Sequence, residues 1–484
     1  MLAAGRCEAL SQAGPRQKGA GGSQRKGESK MAKTTDLRTG NIVKGLFEMA
    51  IPLMFLNLVN SFYNIVDTFF VGQIGELQVG AVSLVNPIMN CAVAFATGLS
   101  AAALALISQA VGASDRNKAS EIATHLLTLS LLIGVVMSVL TILATDGLLA
   151  WLETPQEIYA DSRGYLFGIS FDFVGMFLLS VFHAICQANG DSKTGVRLNS
   201  ISAVLNMVLD PIFIFVFGLG TFGAAIATSL SKLLVIPIIF RQIHHDPKLS
   251  CISVRAYPLT LQSVREIMVV TIPASVGQFF SAFGFVIMNK AIIYYGSIAM
   301  SAYGLGSKIA NLFYIPVTTL GSALSAFIGQ NLGAGDIPRA RECYRRAMVV
   351  CCWISLVVTV VGWLVSPYIV PVFVKDASEE LLRLANEYTF YSVATVFFMG
   401  WYCLLNGVFN GSGHTTSTLL LSVFRLWGCR IPMIYLFRFM GFGPVGIWWS
   451  MILSNLLTCA VGQGMYQSHR WELPRFRKKQ EQLA

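Results

Sequence analysis

What restricts this chain most is the spacing of its apolar runs. About twelve stretches, each long enough to cross a bilayer, follow one another along almost all of its 484 residues. A hydrocarbon core of about 30 Å takes about 20 helical residues. Runs of that length lie near residues 46–72, 79–111, 119–150, 163–189, 196–219 and 221–240, then 263–296, 299–333, 341–374, 381–411, 414–440 and 443–467. Polar or Gly/Pro punctuation such as "GASDRNK", "LETPQE" and "NGDSKT" separates them. Transmembrane β-strands would show about 10 residues of strict alternation, whereas these runs are longer and apolar on every side. Only 12% of the residues are charged and 54% are hydrophobic, which excludes an ordinary soluble domain. The expected fold is an all-α polytopic membrane protein with twelve transmembrane helices.

The net charge of +10 does not point to nucleic acid, because the basic residues are sorted by side. With the N-terminus in the cytoplasm, the inner segments hold Lys44, Arg116, Lys118, Lys193, Arg197, Arg241, Arg265, Arg339, Arg341, Arg345, Arg346 and the tail from Arg475 to Lys479. The outer loops hold little beyond Arg163, Lys375, Arg383 and Arg438. This positive-inside bias gives a multi-pass protein of the cell membrane with both termini cytoplasmic. Residues 1–30 are rich in Gly, Ser and Lys and lack the apolar core of a signal peptide. They read as disordered, and Met31 offers an alternative start. The ten cysteines are scattered, without CxxC or metal spacing, and read as small packing residues.

The chain also repeats itself. "SQAVGASDRNKASE" (108–121) aligns with "GQNLGAGDIPRARE" (329–342), so that Gln109 meets Gln330, Gly112 meets Gly333 and Asp115 meets Asp336 at an offset of 221 residues (330 − 109). The same offset pairs Pro52 with Pro273, Asn189 with Asn410 and Pro211 with Pro432. Six spans per copy is an even number, so both copies enter the membrane with the same orientation. Two six-helix bundles in a parallel repeat follow, an architecture of transporters in which two bundles rock about a central site. The expected organisation is a cytoplasmic N-terminal segment (1–41), a first lobe (42–241), a linker (242–262), a second lobe (263–468) and a basic tail (469–484).

Ionisable residues inside the membrane are expensive and are functional hypotheses by default. Asp67 in "SFYNIVDTFFVG" and Asp210 in "LNMVLDPIFIF" carry most weight, followed by Asp172. Asn206 lies one turn before Asp210 on the same helix face, and Pro211 frees a carbonyl in the preceding turn. The patch could carry a proton on Asp210 or hold a hard cation such as Na⁺ among carboxylate, amide and backbone oxygens; the plain alternative is an interhelical polar clamp. At the offset of 221, Asn206 maps to Trp427, Asp210 to Ile431 and Asp67 to Met288, so the second copy lacks the acidic set. A clamp would more naturally recur in both, and the asymmetry favours function. The second half instead carries Lys290, Lys308, Arg425 and Arg430, which either snorkel to an interface or, for Lys308 and Arg425, pair with carbonyls or line a cavity. Tyr63, Asp172, Met176, His183, Met207 and Met288 are candidates for a soft cavity wall.

These motifs together resemble the multidrug and toxic compound extrusion (MATE) transporters over about residues 46–467. The carrying stretches are "IPLMFLNLVNSFYNIVDTFFVGQIG", "GQNLGAGDIPRARE" with its first-half partner, "ANGDSKT", "LNMVLDPIFIF" with "GAAIAT", and "FRLWGCRIP". The resemblance implies two lobes around a V-shaped cavity and an antiporter, not an enzyme. It would export organic cations, drugs or other amphipathic toxic compounds in exchange for H⁺ or Na⁺. It further implies a coupling site at Asp67, Asn206, Asp210 and Thr228, a bending proline at Pro52, no cofactor beyond the coupling ion, and a monomer in the lipid bilayer. The seventh and tenth spans lack a deep acid, which points to the DinF-like rather than the NorM-like branch. The alternative is a flippase or exporter of lipid-linked or other amphipathic metabolites, for which a strongly basic cavity would be the discriminating feature.

Overall fold

The computed structural model describes residues 37–245, 257–373 and 378–473. The N-terminal segment to residue 36, much of the expected linker and the tail from residue 474 lie outside the described residues. The first half contains α1 (Ile42–Ile74), α2 (Glu76–Gly112), α3 (Arg116–Trp151), α4 (Gln156–Ser170), α5 (Asp172–Ala188), α6 (Ser192–Pro211), α7 (Gly220–Leu233) and α8 (Ile236–His245). The second contains α9 (Leu261–Ile293), α10 (Ser297–Gly333), α11 (Ile337–Phe373), α12 (Glu379–Ala394), α13 (Val396–Gly411), α14 (Thr415–Val423), α15 (Ile431–Phe439) and α16 (Val445–Gln467). Ten spans are continuous or nearly so, and α4–α5 and α12–α13 complete the twelve as spans bent by 42° and 48°.

At each bend, where backbone groups must be satisfied within the protein, a hydroxyl from a neighbouring helix donates to a carbonyl of the bend. Ser138 of α3 donates to the Ser170 carbonyl at 2.6 Å. Tyr314 of α10 donates to the Ser392 carbonyl at 3.0 Å and lies 2.9 Å from Thr395 Oγ1. The fifth and eleventh spans widen into π-helix, at Ile212–Val216 after Pro211 and at Phe424–Arg430 before α15. Helix α1 runs unbroken through Pro52.

The repeat is visible in the backbone. Asp115 caps α3 by accepting from the Lys118 N–H at 3.0 Å, and Asp336 caps α11 by accepting from the Arg339 N–H at 2.9 Å. The residues before them, Ser114 and Gly335, both adopt left-handed φ of 60° and 78°. One correction concerns register. Gly190 and Gly413 share φ of 77° and 78°, and the following N–H groups, of Asp191 and His414, close equivalent turns on Cys186 and Phe409. From this loop on, the structural offset is 223 (413 − 190), not 221. The structural partners of Asn206 and Asp210 become Cys429 and Met433, so the second copy lacks the acid in either register.

The packing is two-fold. Helix α2 packs on α9 as α10 packs on α1, α2 on α5 as α10 on α13, and α1 on α6 as α9 on α14. The largest core cluster runs across both halves through α2, α5, α10 and α13, with Leu99, Ile107, Phe182, Phe327 and Phe409 fully enclosed. At its end, Gln109 donates to the Gly411 carbonyl at 3.0 Å while Gln330 donates to the Ala188 carbonyl at 2.7 Å. Each repeat's glutamine therefore closes the last turn of a helix in the other half. Gly112 lies against the Gln330 backbone and Gly333 against the Gln109 backbone, with no room for a Cβ at either place. Gly112→Ala or Gly333→Ala should cost about 1–3 kcal/mol through overpacking. Gly147→Ala, where nothing lies within 4 Å, should cost nothing; unfolding midpoints in neutral detergent check the contrast.

Candidate functional site

Three helices of the first half each bring two polar residues one turn apart: Tyr63 and Asp67 on α1, Asn206 and Asp210 on α6, Thr228 and Lys232 on α7. The i, i+4 spacing puts each pair on one face, and the packing of α1 on α6 and of α6 on α7 turns those faces together. Asn206 is the hub. Its Nδ2 donates to Asp210 Oδ1 at 3.2 Å and to Thr228 Oγ1 at 3.1 Å, while the Thr228 hydroxyl donates back to the Ala224 carbonyl at 3.0 Å. Tyr63 approaches Thr228 and Asp67, and Asp67 is near enough to Asp210 for their charges to interact.

Burial sets the electrostatics. Asn206, Asp210 and Asp172 are 2%, 0% and 1% exposed, and Asp67 is half-buried. Asn206 Oδ1, Asp210 Oδ2 and Asp172 Oδ1 are buried acceptors without a hydrogen-bond partner. Pro211, at the end of α6, has no N–H to donate to the Met207 carbonyl. The arrangement is a compact, acceptor-rich site able to take up a proton or a small cation.

Of the four residues expected from spacing and family resemblance, Asn206, Asp210 and Thr228 are joined by hydrogen bonds, and Asp67 lies near Asp210. Sequence reasoning did not single out Lys232, which pairs with Asp172 at 2.6 Å and lies near Asp67. A lysine one turn after Thr228 in an otherwise apolar run was the available signal. Asp172 is therefore half of a buried ion pair. Tyr165 of α4 also approaches the acidic residues. Met176 is in the hydrophobic core, and Met207 is half-buried on α6. His183 packs on Gly195 and lies 3.4 Å from Asn199. Met288 lines a cavity in the second half and His183 a smaller one between the halves. Lys290 and Lys308 are exposed, whereas Arg425 and Arg430 are buried. Among the described residues, no group of three His, Cys, Asp or Glu side chains could hold a metal ion.

Removing one member of a buried pair strands the other and costs about 3–5 kcal/mol, while replacing both costs far less. Lys232→Met should therefore lower stability strongly and Lys232→Met with Asp172→Asn should restore most of it, as a double-mutant cycle on unfolding midpoints would measure.

Comparison with known proteins places this chain in a family. The MatE family profile matches residues 52–212 and 273–436, once in each half. A probable multidrug resistance protein of Bacillus subtilis strain 168, YoeA, is 26% identical over 430 residues, covering 86% of this chain and 92% of the relative. The multidrug export protein MepA of Staphylococcus aureus strain N315 is 20% identical over 421 residues, covering 87% and 92%. A solved outward-facing structure of a multidrug resistance MATE family transporter of the MOP superfamily superimposes with a TM-score of 0.85 at 23% identity, covering 92% of this chain and 99% of that one. With twelve helices in two repeated halves and both halves matched, the chain belongs to the MatE family of multidrug efflux transporters, which are membrane carriers and not enzymes.

Proposed function

We propose that this chain is a secondary antiporter that exports small amphipathic organic compounds in exchange for H⁺ or Na⁺ held by Asp67, Asn206, Asp210 and Thr228. The observation that carries the reading is the pair of buried, unpartnered acceptors at its centre, Asn206 Oδ1 and Asp210 Oδ2. A buried acceptor without a donor costs about 1–3 kcal/mol, and more when charged. A proton on Asp210, or a hard cation among carboxylate, amide and hydroxyl oxygens, removes that cost and neutralises part of the Asp67–Asp210 repulsion. Ion binding is thus favourable at this site for a local physical reason.

Coupling requires the ion and the exported compound to prefer different states of the carrier. In this reading, the loaded and unloaded acidic cluster favour different packing of α1 against α6 and α7. Pro52 lets α1 flex, because no N–H at Pro52 ties that turn to the Glu48 carbonyl. The basic inner segments support a cell-membrane protein with both termini cytoplasmic. The names of the relatives, resistance and export proteins, support outward transport of toxic compounds, and we take the working unit to be a single chain.

Reconstituted in proteoliposomes, the wild-type chain should accumulate a fluorescent amphipathic probe under an imposed H⁺ or Na⁺ gradient. Asp67→Asn and Asp210→Asn should each reduce gradient-driven accumulation at least tenfold while leaving downhill probe binding in place. Accumulation against the gradient by both variants would refute the coupling site. Comparing the two gradients applied singly identifies the ion. Pro52→Ala should slow transport severalfold without changing equilibrium ion binding, and an unchanged rate would remove the hinge from the mechanism.

A further inference from the structure

The two halves carry opposite charge in their interiors. The second half, with one face of α2, encloses a cavity of about 670 Å³. The charged residues lining it are Arg425 and Arg430, and no Asp or Glu is among the described lining residues. Both arginines lie on the π-helical stretch Phe424–Arg430, and a separation of five residues is the hydrogen-bonding step of a π-helix, which aligns them on one side. They are 7% and 3% exposed.

Neither has an acidic partner among the described residues. Arg425 lies over the Tyr402 ring, 4.3 Å from its centroid, and directs Nη1 at Met399 Sδ at 3.5 Å, a weak acceptor. Its Nε is buried and has no partner. Arg430 donates from Nε to Ser454 Oγ at 3.0 Å and from Nη2 to Asn455 Oδ1 at 2.9 Å, both uncharged. The contrast with Lys232 is informative, since that half-buried cation has the buried Asp172 at 2.6 Å. An arginine does not shed its proton, so two guanidinium charges remain in a low-dielectric cavity with neutral company. Such charges are normally paired. Around them stand the side-chain amides of Gln278 and Asn406 and an apolar wall of Phe285, Met288 and Met451.

We infer that this cavity binds the anionic group of the transported molecule, a small amphipathic and preferably aromatic compound bearing a carboxylate, phosphate or sulfonate that Arg425 and Arg430 receive. The inference rests on the exporter reading only in treating the occupant as cargo; the binding itself does not depend on it. The guanidinium fork matches oxyanion geometry, and the Tyr and Met side chains accept a flat apolar body. A purely cationic compound is repelled by the same two charges.

The test is equilibrium binding of carboxyfluorescein to the purified full chain in neutral detergent, read by fluorescence anisotropy with no gradient present. The wild type should show saturable binding. Arg425→Gln and Arg430→Gln should each weaken it at least tenfold, and Arg425→Lys should recover part of the loss. Because binding is read with no gradient present, saturable dye binding by a chain that fails to accumulate the dye under a gradient separates failure of the coupling site from failure of this inference. Competition with short-chain phosphatidylglycerol distinguishes a lipid headgroup from a free organic anion; displacement or its absence names the source, and both outcomes are compatible only with an anion site that is already saturable. No saturable binding by a wild type with a normal unfolding midpoint overturns the inference. So does equal binding by the Gln variants, or a Lys variant as defective as the Gln one.

Discussion

The contact between α2 and α10 is the constraint on which the rest depends. Gly112 and Gly333 let the two backbones meet, and Gln109 and Gln330 reach across to the ends of α13 and α5. Because the two sides of this joint are copies of one motif, each contact in one direction is matched by its counterpart. The joint has the properties a moving carrier needs. It is tight, since a single added methyl is excluded. It is also breakable, since it relies on van der Waals contact and a few neutral hydrogen bonds, each worth about 1 kcal/mol, and not on buried ion pairs.

Duplication fixed the scaffold while the chemistry of the halves diverged. The fifth span carries Asn206 and Asp210 just ahead of its π-helical segment, and the eleventh carries Arg425 and Arg430 within its own. In both spans the wider turn sits beside the unusual charge, as π-bulges frequently do at functional sites. The same topology therefore presents an acceptor-rich site in one half and a donor-rich cavity in the other.

Much of this was legible from the residues. Span lengths follow from the bilayer and the two halves from the repeated "Q-x-x-G" motif. The cluster at Asp210 follows from the cost of an acid in an apolar run, and its partners from spacing and family likeness. What could not be read depends on contacts between distant segments. The bends at Phe171 and Thr395 are stabilised by hydroxyls from α3 and α10, which no local pattern specifies. The slip from 221 to 223 arises in a loop where a matching "NG" pair gives the wrong alignment. Lys232 resembles a snorkelling lysine until Asp172 is seen beside it, and Arg430 resembles a helix-end residue until α16 supplies Ser454 and Asn455. Local spacing identifies a charge; only the neighbours say whether it is paired.

Opposite charges in the two halves bear directly on how exchange is kept obligatory. An antiporter must change state when loaded with either ligand and must not do so when empty. With both sites empty, the two proposals leave net negative charge in one half and net positive charge in the other, and attraction between opposite charges favours whichever arrangement brings the halves closest. A cation at Asp67 and Asp210 removes one pole; an anion at Arg425 and Arg430 removes the other. Under the two proposals above, each ligand alone thus releases the same electrostatic hold, and the unloaded carrier keeps it. Two like-charged sites would repel when empty and could not supply this rule.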